Sequence, residues 1–267
     1  MKHMSMVILS LSFAGWYLLV WLPTSSAGEQ LLLEERFDSL LPGEFGRAVL
    51  AHRHTELADG KGTEDSKAVR VNYLGFERGS RRVVVTSPLT AAEEATLSFA
   101  VKFCPEFDFA RGGKLHGLGS ARPVAGGNPV TDDRWSARLM WRREGGLMTY
   151  VYHQDMRGRY GDTKSAGSFR FTPGQYHRID MTVRLNTLPD LADGEITVQV
   201  DGKPVIRHQA LRFRSTAASE GLIRSIMFNT FHGGSSPEWA PRTAEGDFKQ
   251  DCAYFDDFVV RQTVALP

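Results

Sequence analysis

The sequence predicts an all-β fold, an antiparallel two-sheet sandwich of jelly-roll type. Three observations predict it. Short alternating or β-branched runs recur along the whole chain, turn signals such as FTPGQYH, LADGE and VDGKP punctuate them, and sustained helical periodicity is scarce.

The elements follow in chain order. Lys2 and His3 precede an apolar run from Met6 to Leu22, then Pro23 and Thr-Ser-Ser-Ala. Small residues at Ser25 and Ala27 suit the positions before a signal-peptidase cut. Residues 1–27 are therefore expected to be a signal peptide, and 28–267 a single exported domain, secreted or periplasmic. An uncleaved anchor is the rival, since the run approaches the length of a short spanning helix. Strands are expected at Leu31–Phe37, Ala68–Tyr73, Arg81–Thr86, Ala95–Phe103, Trp135–Arg142 and Met148–Gln154. They continue at His177–Leu185, Glu195–Val200, Ile223–Phe231 and Tyr254–Arg261. ITVQVDGKPV reads as a hairpin with Asp201-Gly202 at its tip. Only Thr90–Glu94 and the region near Ala217 look locally helical. GGKLHGLGS, Gly112–Ser120, reads as a glycine-rich loop, either a solvated turn or a cradle presenting the Lys114 ammonium to an anionic partner.

Charge is balanced, at 32 Lys+Arg against 31 Asp+Glu. That argues against a general nucleic-acid binder while leaving room for a local cationic groove. Once a leader is removed no membrane association is expected, and a monomer is expected. Cys104 and Cys252 are equally compatible with a disulfide and with two buried thiols.

RWSARLMWRR alternates. Trp135, Ala137, Leu139 and Trp141 point to a core, and Arg134, Ser136, Arg138, Met140 and Arg142 to a cationic sheet face. LMTYVYHQ runs back after EGG. With Glu144-Gly145-Gly146 as a three-residue loop, Arg138 faces Tyr152 and Met140 faces Tyr150. A two-residue loop would put His153 opposite Arg138 instead. The favoured pairing gathers Ser136, Arg138, Tyr150 and Tyr152 on one surface.

GGKLHGL, WSARLMWR and YVY, with the more distant FNTFHGGSSPEW and YFDDFVV, resemble the family 14 polysaccharide lyases; family 20 glucuronan lyases look similar. Lys114, Ser136, Arg138, Tyr150 and Tyr152 match that family's catalytic set in order and spacing. Members tend to carry proline after GGKL, where this chain has His116. The resemblance implies β-elimination on a 1,4-linked polyuronate, alginate or glucuronan, with no metal required. Arg138 would clamp the substrate carboxylate. Lys114 would add a second charge or, neutralised by crowding, act as base. Tyr152, expected opposite Arg138, would be the main acid/base, with Tyr150 supporting it and Ser136 orienting the sugar. Arg134, Arg142, His116, His153 and His232 are candidate substrate contacts. A structural calcium held by Asp256 and Asp257 with Glu34, Glu35 or Asp38 is conceivable, but solvated strand-end charges are the favoured reading. The competing functions are a non-catalytic carbohydrate-binding or adhesion module and a glycoside hydrolase. The latter requires two carboxylates across a cleft, and no alternating strand carries a closely spaced Glu/Asp trio.

Overall fold

The computed structural model describes residues 27–265. The leader assigned to residues 1–27 lies, except for Ala27, outside the described residues. Strand β1 is Ala27–Glu35, followed by helix α1 (Glu44–Leu50), β2 (Thr55–Ala58), β3 (Ala68–Phe76), β4 (Gly79–Ser80) and β5 (Val83–Ala92). Then come β6 (Glu94–Phe103), β7 (Gly112–Gly119), β8 (Ser136–Arg142), β9 (Gly146–Tyr152) and β10 (Ser165–Arg170). The chain ends with β11 (His177–Arg184), β12 (Gly194–Val200), β13 (Lys203–Leu211), β14 (Ile223–His232) and β15 (Gln250–Ala265).

Two antiparallel sheets form a sandwich. One runs β13-β12-β11-β6-β15-β3-β2, with β1 on β15 and β4 on β3; the other runs β10-β9-β8-β7-β14-β5. Alternation dictates which side chains meet between them. In β11, His177, Ile179, Met181 and Val183 are buried while the residues between them are exposed or half-buried. β15 is long enough to serve two neighbours in turn. Its first half pairs with β3 and its last half with β1, and the register breaks at Asp256/Asp257, where Asp257 has φ 51°. The hairpin expected at Asp201-Gly202 is present, both residues having positive φ between Val200 and Lys203.

Three local expectations are corrected. Thr90–Glu94 is not helical: β5 runs to Ala92 and β6 starts at Glu94. The region near Ala217 carries only the single 3-10 turn Ser219–Gly221. GGKLHGLGS is not a loop, since it forms β7, a central strand between β8 and β14. Helix α1 went unread because it has barely two turns; it buries Phe45 and Val49, and Phe45 packs on Phe228 and Phe258.

Cys104 and Cys252 form a disulfide, with Cα atoms 5.5 Å apart, tying the end of β6 to β15. The carboxylates considered for calcium are spent on protein donors instead. Asp256 accepts from Thr63 N, Thr63 Oγ1 and Ser66 Oγ at 2.9–3.1 Å. Glu35 accepts from Phe37 N and Gly43 N, and Asp38 from Lys67 N. Among the described residues no group of His, Cys, Asp and Glu is placed to hold a metal ion. Among them, too, no helix is long and apolar enough to cross a membrane.

Candidate active site

The six-stranded sheet buries Trp135, Ala137, Leu139 and Trp141 against the second sheet, as the alternation of β8 requires. Its other face carries Ser136, Arg138, Met140 and Arg142 beside Tyr150 and Tyr152 of β9. The pairing differs from the one expected. Tyr150 lies opposite Arg138, Tyr152 opposite Ser136, and Met148 opposite Met140. The loop has three residues but they are Arg143-Glu144-Gly145, one earlier than expected. Glu144 and Gly145, at φ 57° and 77°, supply the left-handed conformations that turn the chain, while Gly146 stays in the strand. A shift of this kind moves the pairing by two residues, so every side chain keeps its face while its partner changes.

Lys114 joins this face from β7, opposite Met140. Between Lys114 and Gly117, two residues of β7, Leu115 and His116, oppose the single Leu139 of β8. The bulge sends both into the core and lets Lys114 and Gly117 face outward together. His116 is therefore no substrate contact. It is 0% exposed, stacked on Phe228 at 4.2 Å and edged by Phe99, Phe255 and Phe258, with neither ring nitrogen hydrogen-bonded. Burial holds its pKa well below the ordinary histidine value. His232 also turns inward. Its ring stacks on Phe107, its Nε2 donates to the Asp108 carbonyl at 2.7 Å, and burial lowers its pKa to about 4. His153 is buried and paired through Nε2 with Asp162 Oδ2 at 2.9 Å. Arg134 precedes the strand and donates through Nε to the Arg122 carbonyl. These four candidates do not join the cluster.

The cluster itself is tight. Lys114 Nζ sits 3.7 Å from the centre of the Tyr150 ring and 2.9 Å from Met140 Sδ. The Arg138 guanidinium lies 5.3 Å from the Tyr150 ring and 5.9 Å from that of Tyr152. The tyrosine hydroxyls are 3.3 Å apart. Tyr152 is fully covered: its hydroxyl accepts from Gly127 N at 2.9 Å, and Ser136 Oγ donates to the Val124 carbonyl at 2.7 Å. Residues around Val124–Gly127 thus roof the Ser136–Tyr152 end of the face. Gly117 permits the packing beneath Arg138, since a Cβ there would collide with the Ala137 carbonyl and with Arg138.

The electrostatics are one-sided. Arg138 is 3% exposed, its Nε has no partner, and no carboxylate of the described residues pairs with Lys114, Arg138, Arg142 or Arg82. A buried guanidinium without a counter-ion is costly, and aromatic faces offset only part of that cost. Burial, then Arg138, Arg142 and Arg82, hold the Lys114 pKa well below its ordinary value. Burial and the hydrogen bond with Tyr152 push the Tyr150 phenol upward. One face therefore offers an amine whose protonation is opposed, a phenol that holds its proton and a guanidinium without an ion-pair partner. It can deprotonate, protonate and bind an anion.

Sequence reasoning missed two polar groups here. Arg82, just before β5, lies 5.1 Å from the Phe231 ring, and Phe231 pairs with Lys114. Asn229 of β14 is 2% exposed with its Oδ1 unpartnered. Alternation along FNTFH, with Phe228 in the core, was the available signal for Asn229.

A family model described as polysaccharide lyase 14 matches residues 61–258. None of the curated proteins matches. Among solved structures, alginate lyase Aly36B in complex with an alginate tetrasaccharide is 24% identical with TM-score 0.71, covering 88% of this chain and 98% of that one. The PL-14 alginate lyase from Aplysia kurodai is 21% identical with TM-score 0.66, over 86% and 98% of the chains. The endo-beta-1,4-glucuronan lyase from the fungus Trichoderma reesei is 12% identical with TM-score 0.61, over 87% and 96%. At these identities the likeness establishes the shared sandwich fold.

Proposed function

Because the chain belongs to the polysaccharide lyase 14 family, we propose that the face of β7, β8 and β9 cleaves a 1,4-linked polyuronate by β-elimination. The observation that carries this reading is the buried Arg138, without an ion-pair partner, beside Lys114, whose protonation burial and neighbouring cations oppose, and Tyr150, whose phenol holds its proton. The C5 proton of a uronate is weakly acidic, and removing it places charge on the adjacent carboxylate. Arg138, charged at any working pH and able to form two parallel hydrogen bonds, stabilises that charge as it develops. Lys114 Nζ takes the C5 proton. The C4–C5 double bond forms, the C4–O4 bond breaks, and the Tyr150 hydroxyl protonates the departing O4. Proton exchange with solvent then returns Lys114 to the amine and Tyr150 to the phenol, closing the cycle. Groups whose environments drive their pKa values to opposite uses mark the base and the acid. Tyr152 and Ser136, hydrogen-bonded beneath the roof, position the pair.

The disulfide supports action in an oxidising compartment outside the cytoplasm. A glycoside hydrolase would need two carboxylates flanking the scissile bond, and this face is cationic.

The test is an absorbance screen of the protein against alginate, glucuronan and a neutral glucan, following the unsaturated uronate chromophore that only elimination creates. Release from a polyuronate, weakened by added salt through screening of the cations, is expected. Reducing ends without the chromophore, or preference for the neutral glucan, would overturn the reading.

A further inference from the structure

The β5–β14 flank of the same face carries polar groups that the elimination step does not use. Asn229 points outward from β14, since its neighbours Phe228 and Thr230 turn into the core, where Thr230 Oγ1 meets the Tyr73 hydroxyl. Its amide is buried, yet Oδ1 accepts no hydrogen bond. Buried amides are nearly always paired, and this oxygen, not taken by any protein donor, is available to accept from a ligand hydroxyl. The residue opposite Asn229 is Val84 of β5, half exposed and apolar. Arg82, two residues before Val84, is exposed and has no ion-pair partner among the described residues. Its guanidinium packs by Phe231, the cross-strand partner of Lys114, and lies close enough to oppose protonation of Lys114.

We propose that Arg82, Asn229 and Val84 form a second sugar subsite beside the reacting one, which binds the next uronate of the substrate chain. Arg82 pairs with that residue's carboxylate, Asn229 Oδ1 accepts a hydrogen bond from a ring hydroxyl, and Val84 lies under the sugar. The subsite rests on the polyuronate reading above and adds to it a recognition element for the uronate on the side of the reacting one away from the scissile bond, a position that the shortest cleaved oligomers leave empty. An amide held rigidly in a strand senses whether the hydroxyl it meets is in place, so Asn229 discriminates between uronates that differ in hydroxyl orientation.

The test combines calorimetric binding and chromophore release on alginate and glucuronan oligomers of increasing length, for the wild type, Arg82→Gln and Asn229→Leu, with thermal melts. Arg82→Gln is expected to weaken binding and raise KM by ~10-fold on long oligomers, while KM for the shortest cleaved oligomer changes less than about twofold, since one lost charged hydrogen bond is worth about that factor. Asn229→Leu is expected to lower kcat/KM by ~10-fold or more with Tm unchanged or raised, because it removes an unpaired buried amide. A falling Tm would assign Asn229 a structural role and overturn its place in the subsite. An Arg82→Gln effect that is absent or independent of oligomer length would overturn the subsite as a whole. Binding that depends on Arg82 without any chromophore release would leave the subsite standing and remove the lyase reading instead.

Discussion

Lys114 and Tyr150 occupy one small environment that moves their protons in opposite directions, and this decides how their variants should behave. Lys114→Ala removes the base and should lower kcat by ~10²-fold or more, within the range for a lost acid or base. Lys114→Arg keeps the charge yet cannot become neutral, so it should be no more active. The pH profile follows from the sign. Lys114 is active as the amine, so kcat/KM should fall as pH drops through its lowered pKa, well below the ordinary lysine value. The tyrosines separate differently from what the sequence suggests. Tyr150→Phe should cost ~10²-fold in kcat with little change in Tm. Tyr152→Phe strands the Gly127 N–H that its hydroxyl now accepts, and should cost about 1–2 kcal/mol of stability before it costs catalysis. Kinetics and urea melts on both variants check this, and a dead Tyr152→Phe beside an active Tyr150→Phe would reverse the roles. The face of each residue was legible, because strand alternation has period two and survives any even shift. The partner was not, because the loop is Arg143-Glu144-Gly145, turned by left-handed Glu144 and Gly145, rather than Glu144-Gly145-Gly146.

At the scale of elements, β7 decides whether the site exists. Its glycines read as loop signals because glycine usually marks turns, yet here they mark close approach. Gly113 lies against the Trp141 ring and Gly117 under Arg138. Composition alone could not separate the two meanings, since the distinction lies in the neighbouring strands. The bulge was equally hidden. Without it, His116 would face outward and meet substrate; with it, His116 lies in an aromatic core. Gly117→Ala should therefore destabilise the protein by about 2 kcal/mol, the range for overpacking a filled site, and should also lower kcat by displacing Arg138. Denaturant unfolding and chromophore release measured together check it. A Gly117→Ala protein with wild-type stability would mean that β7 and β8 have room to part. The strands with regular polar–apolar alternation, such as β11 and β12, were readable because one face is buried and the other is not.

At the scale of the whole molecule, stability rests on a core shared by both sheets, and two of its histidines make that core sensitive to acid. His116 and His232 are buried neutral, with pKa values depressed by desolvation. In the unfolded chain each would titrate near the ordinary value of about 6.5. Between that pH and the folded pKa the unfolded state binds more protons than the native state, so stability falls as pH falls. For His232, whose folded pKa is about 4, the loss begins near pH 6.5 and is complete near pH 4. It amounts to roughly 3 kcal/mol. His116 adds to it in the same direction. Asp251 and Asp256, whose pKa values burial raises, act oppositely, recovering some stability as they take up protons at the acid end of the window. The disulfide across β6 and β15 does not titrate and sets a constant background of about 2–4 kcal/mol, which Cys104→Ser with Cys252→Ser should remove at every pH. The discriminating measurement is the slope of Tm against pH between 6.5 and 4 rather than Tm itself. His116→Leu, close in volume and unable to titrate, should flatten that slope whatever it does to Tm at neutral pH, because position 116 then takes up no proton when the chain unfolds. An unchanged slope in His116→Leu would mean that His116 does not depress stability in acid, and that its ring is solvated or protonated in the native fold.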